Sequence, residues 1–239
     1  MFRTACEKNR GAIYGVRGYT PIKHNLVSNS TGSGFTIAPG MLITAAHLIH
    51  VDNDFERPVH SNFEVIRSPD IGLTLETTTL VAEDPVNDIA LLKIVNPRSA
   101  EYLPLEHERM PTGTNCGSLG FPLSEVVTTP EGTQFNLIER FQGSFVSSFV
   151  KRPSPRGGLV DNYEVDTEMY PGSSGCPGFL IDSKVIGMQS QSIYLNTTKK
   201  GRNTDQLAIS LWVPSMDIIG FAKKNGIDVL SMEGPTGPR

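Results

Sequence analysis

Glycine and proline recur at short intervals along the chain, and they limit it to folds built from short strands and tight turns. The 239 residues include 23 Gly and 17 Pro, together about 17% of the chain against a usual share of roughly 12%. Short stretches of strand-forming residues lie between them, such as 34–37 and 41–44 on either side of a Pro-Gly turn. The sequence therefore predicts an all-β fold.

One segment near the carboxyl end has the pattern of a helix. Ser215 is placed to cap it, and Asp217 lies in what would be its first turn. Lys223 and Lys224 lie in the last turn, where positive charge matches the helix dipole. We therefore expect a single closing helix at about 215–225.

A segment with several prolines and no clear periodicity, 96–114, separates two sets of strands. It indicates a connection between two β units. We place the first unit at 1–106 and the second at 107–239, and we expect the Gly- and Pro-rich tail at 234–239 to be disordered.

Charge and hydrophobicity bear on the partners. The chain has 21 Lys and Arg against 25 Asp and Glu, a formal charge of −4, which gives no basic surface for a phosphate backbone. Its apolar stretches end far short of the roughly 20 residues that span a bilayer. We expect neither a nucleic acid nor a membrane as a partner.

The amino terminus and the cysteines bear on the cellular compartment. Residues 1–8 lack the apolar region of a signal peptide, so we expect a cytoplasmic protein, or a secreted or periplasmic one if an export segment has been removed. Three cysteines, Cys6, Cys116 and Cys176, have neither disulfide-framework nor zinc-finger spacing. No metal site is expected.

Three short stretches carry residues suited to nucleophilic catalysis: LITAAH at 42–47, NDIALL at 87–92 and PGSSGCP at 171–177. A hydroxyl becomes an effective nucleophile when an imidazole takes its proton, and the imidazole needs a carboxylate to fix its tautomer. Each stretch is a weak signal alone, but the joint occurrence of His, Asp and Ser is not. The catalytic candidates are His47, Asp88 and Ser174.

Glycines flank the serine pair of the third stretch, so the backbone can turn sharply there. The N–H groups of Gly172 and Ser174 can then converge on one oxyanion. With Ser173 between them, these residues form the candidate oxyanion hole. Cys176 is a weaker nucleophile candidate, because it lies beyond the second glycine and would face away from these donors.

Together these stretches resemble the trypsin-like (chymotrypsin-fold) serine peptidases, over about residues 32–226. The resemblance implies two six-stranded-type antiparallel β-barrels with the site in the cleft between them, His and Asp on the first and Ser on the second. Residues 166–178 and the closing helix are most similar to the bacterial-type branch that includes HtrA proteases and glutamyl endopeptidases, although we expect no PDZ domain to follow. No cofactor is implied.

The resemblance also suggests substrate-binding residues. Glu168 stands six residues before the nucleophile, where a buried carboxylate would favour Arg or Lys side chains. The alternative is a solvated strand residue. Gln189 replaces the His of glutamyl endopeptidases, Ser190 and Gln191 are expected in a pocket wall, and Tyr170 completes the substrate-binding set.

The sequence thus predicts a serine endopeptidase acting on polypeptides, with His47 as general base and then acid, Asp88 as its orienting partner and Ser174 as the nucleophile. An α/β-hydrolase does not fit, because its triad runs Ser, Asp, His. Two alternatives stay open: a catalytically silent scaffold whose oxyanion loop is collapsed, and a viral or mobile-element processing protease.

Overall fold

The computed structural model describes residues 2–21, 27–67, 74–129, 132–195 and 205–229. Fourteen strands, two α-helices and three short 3-10 helices make up the regular structure of this part of the chain. Six strands form the first closed barrel in the order β1-β2-β3-β6-β5-β4. They are β1 (Ile13–Pro21), β2 (Val27–Ala38), β3 (Met41–Thr44), β4 (Asn62–Arg67), β5 (Leu75–Asp84) and β6 (Ile89–Ile94).

Six later strands form the second closed barrel in the order β10-β11-β14-β13-β12-β7. A separate two-stranded hairpin, β8 (Glu125–Thr129) and β9 (Gly132–Asn136), lies between its first two strands in sequence. The barrel strands are β7 (Asn115–Gly120), β10 (Arg140–Pro153), β11 (Leu159–Val165), β12 (Pro177–Phe179), β13 (Val185–Leu195) and β14 (Asp205–Pro214).

Both barrels are antiparallel throughout, so the predicted all-β fold with two six-stranded barrels is confirmed. The first barrel encloses an apolar cluster that includes Tyr14, Leu42 and Val65. The second encloses another, which includes Tyr163, Ile186 and Trp212. Side chains alternate between the two faces of a strand, which leaves the other face of several strands free to pack between the barrels.

The largest apolar cluster lies between the barrels and joins them. It contains Phe35 and Leu91 from the first barrel with Leu119 and Phe179 from the second. Burial of this cluster disfavours separation of the barrels and fixes the cleft between them.

The closing helix expected at 215–225 is present as α2 (Ser215–Lys224), and its Ile218 and Phe221 pack on the cluster between the barrels. The expected cap is wrong in detail. Pro214 is the N-cap residue, and the hydroxyl of Ser215 instead donates to the carbonyl of Glu106, with an O–O distance of 2.5 Å.

The strands of the first barrel end at Ile94 and those of the second begin at Asn115. The expected boundary at 106/107 therefore falls in the connecting segment, where it stays a prediction. The tail at 234–239 lies outside the described residues.

The sequence pattern does not predict helix α1 (Phe2–Asn9), which precedes the first barrel but packs on the second. The ring centroid of Phe2 lies 5.3 Å from that of Phe141 and 6.2 Å from that of Phe179. Just after the helix, Arg10 pairs with Glu139 at 2.7 Å. In the described ranges, no helix has the length and apolar character needed to cross a membrane.

Candidate active site

Strand pairing brings the first two catalytic candidates together, although they are 41 residues apart in sequence. Strands β3 and β6 are neighbours, with Thr44 opposite Ala90. A short 3-10 helix, Ala46–Ile49, follows β3 and carries His47, while Asp88 immediately precedes β6. Asp88 adopts a left-handed backbone with φ of 57°. Two strand ends of the same sheet edge thus present the imidazole to the carboxylate.

Two side-chain contacts of the His47 imidazole join the three candidates in one chain. Its Nδ1 lies 2.9 Å from Asp88 Oδ2, and its Nε2 lies 2.9 Å from Ser174 Oγ. The main-chain N–H of His47 also donates to Asp88 Oδ1 at 2.9 Å. Because Nδ1 faces a carboxylate, it holds the proton, and Nε2 is left to accept from the hydroxyl.

Two opposing effects act on the pKa of His47. Burial lowers it, while the charge of Asp88 and the hydrogen bond to that carboxylate raise it. The two contributions from Asp88 outweigh burial, and the pKa of His47 is raised above its ordinary value of 6.5. This imidazole is therefore a stronger base than a free histidine side chain.

The second barrel contributes a donor to the buried carboxylate. Ser190 Oγ donates to Asp88 Oδ2 at 2.5 Å, and both residues are buried. Placing an ionised carboxylate away from water is costly unless hydrogen bonds replace its hydration. The donors from His47 and Ser190 supply that replacement.

The loop before Ser174 is a tight turn over residues 170–173. The N–H of Ser173 donates to the carbonyl of Tyr170 at 2.9 Å, and the N–H of Tyr170 donates back to Ser173 Oγ at 3.1 Å. Pro171 and then Gly172, with φ of 89°, occupy the middle of the turn, as in a type II β-turn. A Cβ on Gly172 would lie 2.8 Å from the carbonyl oxygen of Phe121, so this position requires glycine.

Every carbonyl of this loop accepts a hydrogen bond. The N–H of Leu123 donates to Pro171 O at 2.6 Å, and the N–H of Cys176 donates to Ser173 O at 2.9 Å. The remaining two carbonyls, those of Gly172 and Ser174, accept from the side chain and the main-chain N–H of Ser33, at 3.0 and 2.8 Å.

The N–H groups of Gly172 and Ser174 differ from their neighbours, because neither donates to an acceptor within the part of the chain that the structure describes. They are therefore available to an incoming oxyanion. Ser173 is expected in the oxyanion hole, but its N–H is not one of the available donors. Its N–H is used inside the turn, so Ser173 shapes the loop instead of donating to a ligand.

Glu168 does not provide the buried carboxylate that would read a basic side chain. Its side chain is exposed and lies outside any strand, and Glu168 Oε2 accepts a hydrogen bond from the hydroxyl of Tyr170 at 2.9 Å. This hydrogen bond, together with the charge of Glu168, raises the pKa of Tyr170. The structure thus matches the alternative in which Glu168 is solvated, except that the residue lies in a loop and not in a strand.

Gln189 is completely buried, and its main chain braces the nucleophile loop. Its N–H donates to Cys176 O at 2.9 Å, and its carbonyl accepts from the N–H of Gly175 at 2.8 Å. The side-chain Nε2 donates to Ser118 Oγ at 2.9 Å. Gln191 is exposed and lines a groove beside Asp88 and Ser190.

Cys176 is not poised for nucleophilic chemistry. Its thiol is buried, and burial raises its pKa to about 12. A thiol in such surroundings stays protonated at neutral pH. The preference for Ser174 over Cys176 thus has a physical reason in the structure.

Of the histidines other than His47, the three that the structure describes have structural partners or face solvent, and His24 lies outside the described residues. His50 lies 2.9 Å from Glu83 Oε2, and His60 contacts the hydroxyls of Thr20 and Ser30. The side chain of His107 is 62% exposed. Across the described ranges, no group of three His, Cys, Asp or Glu residues is arranged to hold a metal ion.

Sequence reasoning missed two roles. Ser190 was expected in a pocket wall, and its contact with Asp88 was not anticipated. No role is predicted for Ser33, which lies between Gly32 and Gly34, just before the predicted strand at 34–37. Flanking glycines are a signal of close backbone approach in a strand, and they could have drawn attention to it.

Comparisons with known proteins agree on the fold. The chain is 28% identical over 169 residues to a probable periplasmic serine endoprotease DegP-like of Halomonas elongata, and 30% identical over 183 residues to mitochondrial serine protease HTRA2 of Bos taurus. These matches cover 70% and 74% of this chain. The chain spans only about a third of the length of these relatives, 31% and 35%.

A solved structure extends the likeness to the whole fold. The active form of the Rv3671c protease from M. tuberculosis superposes with a TM-score of 0.71 at 18% identity, covering 98% of this chain and 86% of that one. The trypsin-like peptidase domain family matches residues 32–188, well over half of the chain. The protein therefore belongs to the trypsin-like peptidase domain family.

Proposed function

We propose that the protein is a serine endopeptidase that cleaves polypeptides through a covalent acyl-enzyme on Ser174. The observation that carries this proposal is the pair of 2.9 Å contacts of His47, to Asp88 on one side and to Ser174 on the other. A nucleophile, a base and an orienting group in mutual contact meet the geometric test for such chemistry. The names of the relatives, serine endoprotease and serine protease, support the same activity.

In the first half of the reaction, His47 Nε2 takes the proton of Ser174 Oγ as that oxygen attacks the scissile carbonyl carbon. The carbonyl oxygen becomes an oxyanion, which the N–H groups of Gly172 and Ser174 stabilise. Removing one such donor typically costs about 3 to 4 kcal/mol of transition-state stabilisation. Asp88 meanwhile stabilises the charged imidazolium.

In the second half, His47 gives its proton to the leaving amine, the C–N bond breaks and the acyl-enzyme remains. Water then attacks the ester carbonyl while Nε2 accepts its proton, and the acid product leaves with Ser174 restored. Every proton in this sequence is carried by His47, so no metal or organic cofactor is needed for the proposed chemistry.

The proposed place of the substrate follows from the surface beside the catalytic candidates. The exposed Gln191 and the groove beside Ser190 offer an extended peptide a place next to strand β13, where backbone hydrogen bonds can form. We assign no preference for a basic side chain, because the carboxylate of Glu168 is exposed. For the compartment, the relative from Halomonas elongata is named periplasmic, which favours the second of the two expected locations. Fractionation of cells tests it.

The proposal is tested by intact mass after exposure to an organofluorophosphonate. Wild type should gain one adduct, Ser174→Ala should gain none, and Ser147→Ala, which alters an exposed serine on β10, should react as wild type does. An adduct that persists in Ser174→Ala would reject the assignment of the nucleophile. A folded wild type that never reacts would favour the silent scaffold.

A further inference from the structure

Ser33 is a fully buried residue of strand β2, in the first barrel, that contacts the oxyanion loop of the second barrel. Its main-chain N–H donates to Ser174 O at 2.8 Å, and its carbonyl accepts from Thr44 Oγ1 at 2.7 Å. These contacts hold the main chain of Ser33 against the nucleophile whatever side chain it carries.

The hydroxyl of Ser33 makes two further hydrogen bonds, both to segments of the second barrel. It donates to the carbonyl of Gly172 at 3.0 Å and accepts from the N–H of Phe121 at 2.9 Å. One side chain thus joins the turn that carries the oxyanion donor to the end of strand β7.

Gly172 needs such an external contact. Glycine has no Cβ to restrict its backbone, and its φ of 89° is one of several conformations open to it. A rotation of the chain at Gly172 would redirect its N–H without changing any residue. The peptide that carries this N–H is held by the N–H of Leu123, which donates to Pro171 O at 2.6 Å, and the hydroxyl of Ser33 holds the next peptide through Gly172 O. The two hydrogen bonds together limit rotation on both sides of the Gly172 Cα.

We propose that Ser33 is a positioning residue that holds Gly172 in the conformation in which its N–H meets the oxyanion. The proposal rests on the proposed function of the site, and it deepens it by assigning part of the oxyanion hole to the first barrel. Ser33 touches neither the substrate nor the reacting atoms. Its hydroxyl acts through the carbonyl of Gly172, and the N–H of Phe121, which donates to that hydroxyl, helps to hold it in place.

The test compares Ser33→Ala with Ser30→Ala. Ser30 is a matched control, because it is also a buried serine of β2 and its hydroxyl also makes two hydrogen bonds, to His50 O and His60 Nε2. Both variants are assayed with a peptide substrate for kcat and KM, for thermal stability, and for affinity to a peptide boronic acid whose tetrahedral adduct occupies the oxyanion hole.

For Ser33→Ala we expect kcat to fall by about 10- to 100-fold, below the 10²- to 10³-fold effect of removing an oxyanion donor outright. Affinity for the boronic acid should fall in parallel, while KM stays within about twofold, since the oxyanion exists only after attack. Ser30→Ala should lower thermal stability but leave kcat near that of wild type. If Ser33→Ala does not fold, Ser33→Gly also removes the hydroxyl, and the same loss is expected.

Two results would overturn the inference while leaving the proposed function standing. One is an active wild type with a Ser33→Ala variant of equal kcat. The other is a loss of kcat that is the same in Ser30→Ala and Ser33→Ala and follows their stability, which would mean a purely structural role. A wild type that neither cleaves peptides nor reacts with fluorophosphonate would instead reject the proposed function, and this inference with it.

Discussion

The hydroxyl of Ser190 in the second barrel donates to the carboxylate of Asp88 in the first, with an Oγ–Oδ2 distance of 2.5 Å. The same oxygen of Asp88 lies 2.9 Å from Nδ1 of His47. Asp88 is therefore oriented from both barrels. Its rotation would break the contact with one barrel or the other, and the imidazole would lose its orientation with it.

Ser190→Ala should lower kcat/KM by about 10- to 100-fold, because a hydrogen bond to a charged group contributes roughly 1.5 to 3 kcal/mol. The fold should survive, since one small buried hydroxyl is lost. Steady-state kinetics on a peptide substrate measure the effect, and Ser147→Ala, at an exposed position of β10, provides the control. Equal rates for the two variants would mean that Ser190 does not orient Asp88.

The rate should depend on the ionisation of His47. Its pKa is raised by Asp88, so kcat/KM should fall with decreasing pH around a midpoint above the ordinary value of 6.5, as the imidazole becomes protonated and cannot accept from Ser174. Asp88→Asn removes the charge that raises the pKa and leaves burial, which lowers it. The midpoint should therefore move to lower pH, with kcat reduced by about 10⁴-fold. An unmoved midpoint in a pH–rate profile would show that another group titrates.

Glu168→Gln should leave the side-chain preference of the enzyme unchanged. The carboxylate is exposed and paired with the hydroxyl of Tyr170, so it does not form the floor of a pocket. Cleavage of a mixed peptide library, read by mass spectrometry, measures the preference of wild type, Glu168→Gln and Tyr170→Phe. Selective loss of cleavage after Arg or Lys in Glu168→Gln would restore the original expectation.

Asp217 in the first turn of α2 should make stability depend on pH. Burial, followed by the nearby charges of Asp161 and Asp84, raises its pKa to about 6 from 3.8. Above about pH 6 the folded protein holds this carboxylate charged at a cost that the unfolded chain does not bear. As the pH falls from 6 towards 4 the folded state takes up the proton first, and the cost disappears.

Asp217→Asn should therefore stabilise the protein at pH 8 and give no gain near pH 4. Since Asp217 is only partly buried, solvent screening limits the expected gain to about 1 kcal/mol, or roughly 2 to 4 °C in melting temperature. Thermal melts at both pH values measure it. Glu108→Gln removes an exposed carboxylate instead and should show no such difference, and an equal gain for both variants would contradict the role of burial.

The features that depend on local sequence could be predicted. The pattern of short strands and turns predicts an all-β fold in two units, and the motifs around His47, Asp88 and Ser174 follow strand ends and a glycine-bounded turn, which are local signals. The two six-stranded barrels are implied by the resemblance that these motifs carry. The side-chain direction of Glu168 could not be predicted, because it depends on the path of an irregular loop. The role of Ser33 depends on a contact with Gly172, 139 residues away, which no local pattern encodes.

Dependence on contacts with distant residues also explains why the N-cap of α2 and the presence of helix α1 are not predicted correctly. Ser215 has a residue type suited to an N-cap, but it is the first residue of the helix, after Pro214 at the N-cap, and its hydroxyl donates to the carbonyl of Glu106. Helix α1 is short and its stability comes from packing on the second barrel, as in the contact of Phe2 with Phe141, so its own sequence gives little indication of it.

The single tryptophan of the chain, Trp212, is buried inside the second barrel, and this gives the molecule an internal reporter. Its fluorescence follows the opening of that barrel, whereas the proposed catalysis needs both barrels in register to keep His47 and Ser174 in contact. Denaturation followed by the two signals together can therefore separate loosening of the cleft from unfolding of the second barrel. Rates that fall before the fluorescence changes would identify a state in which both barrels persist and only their mutual alignment is lost.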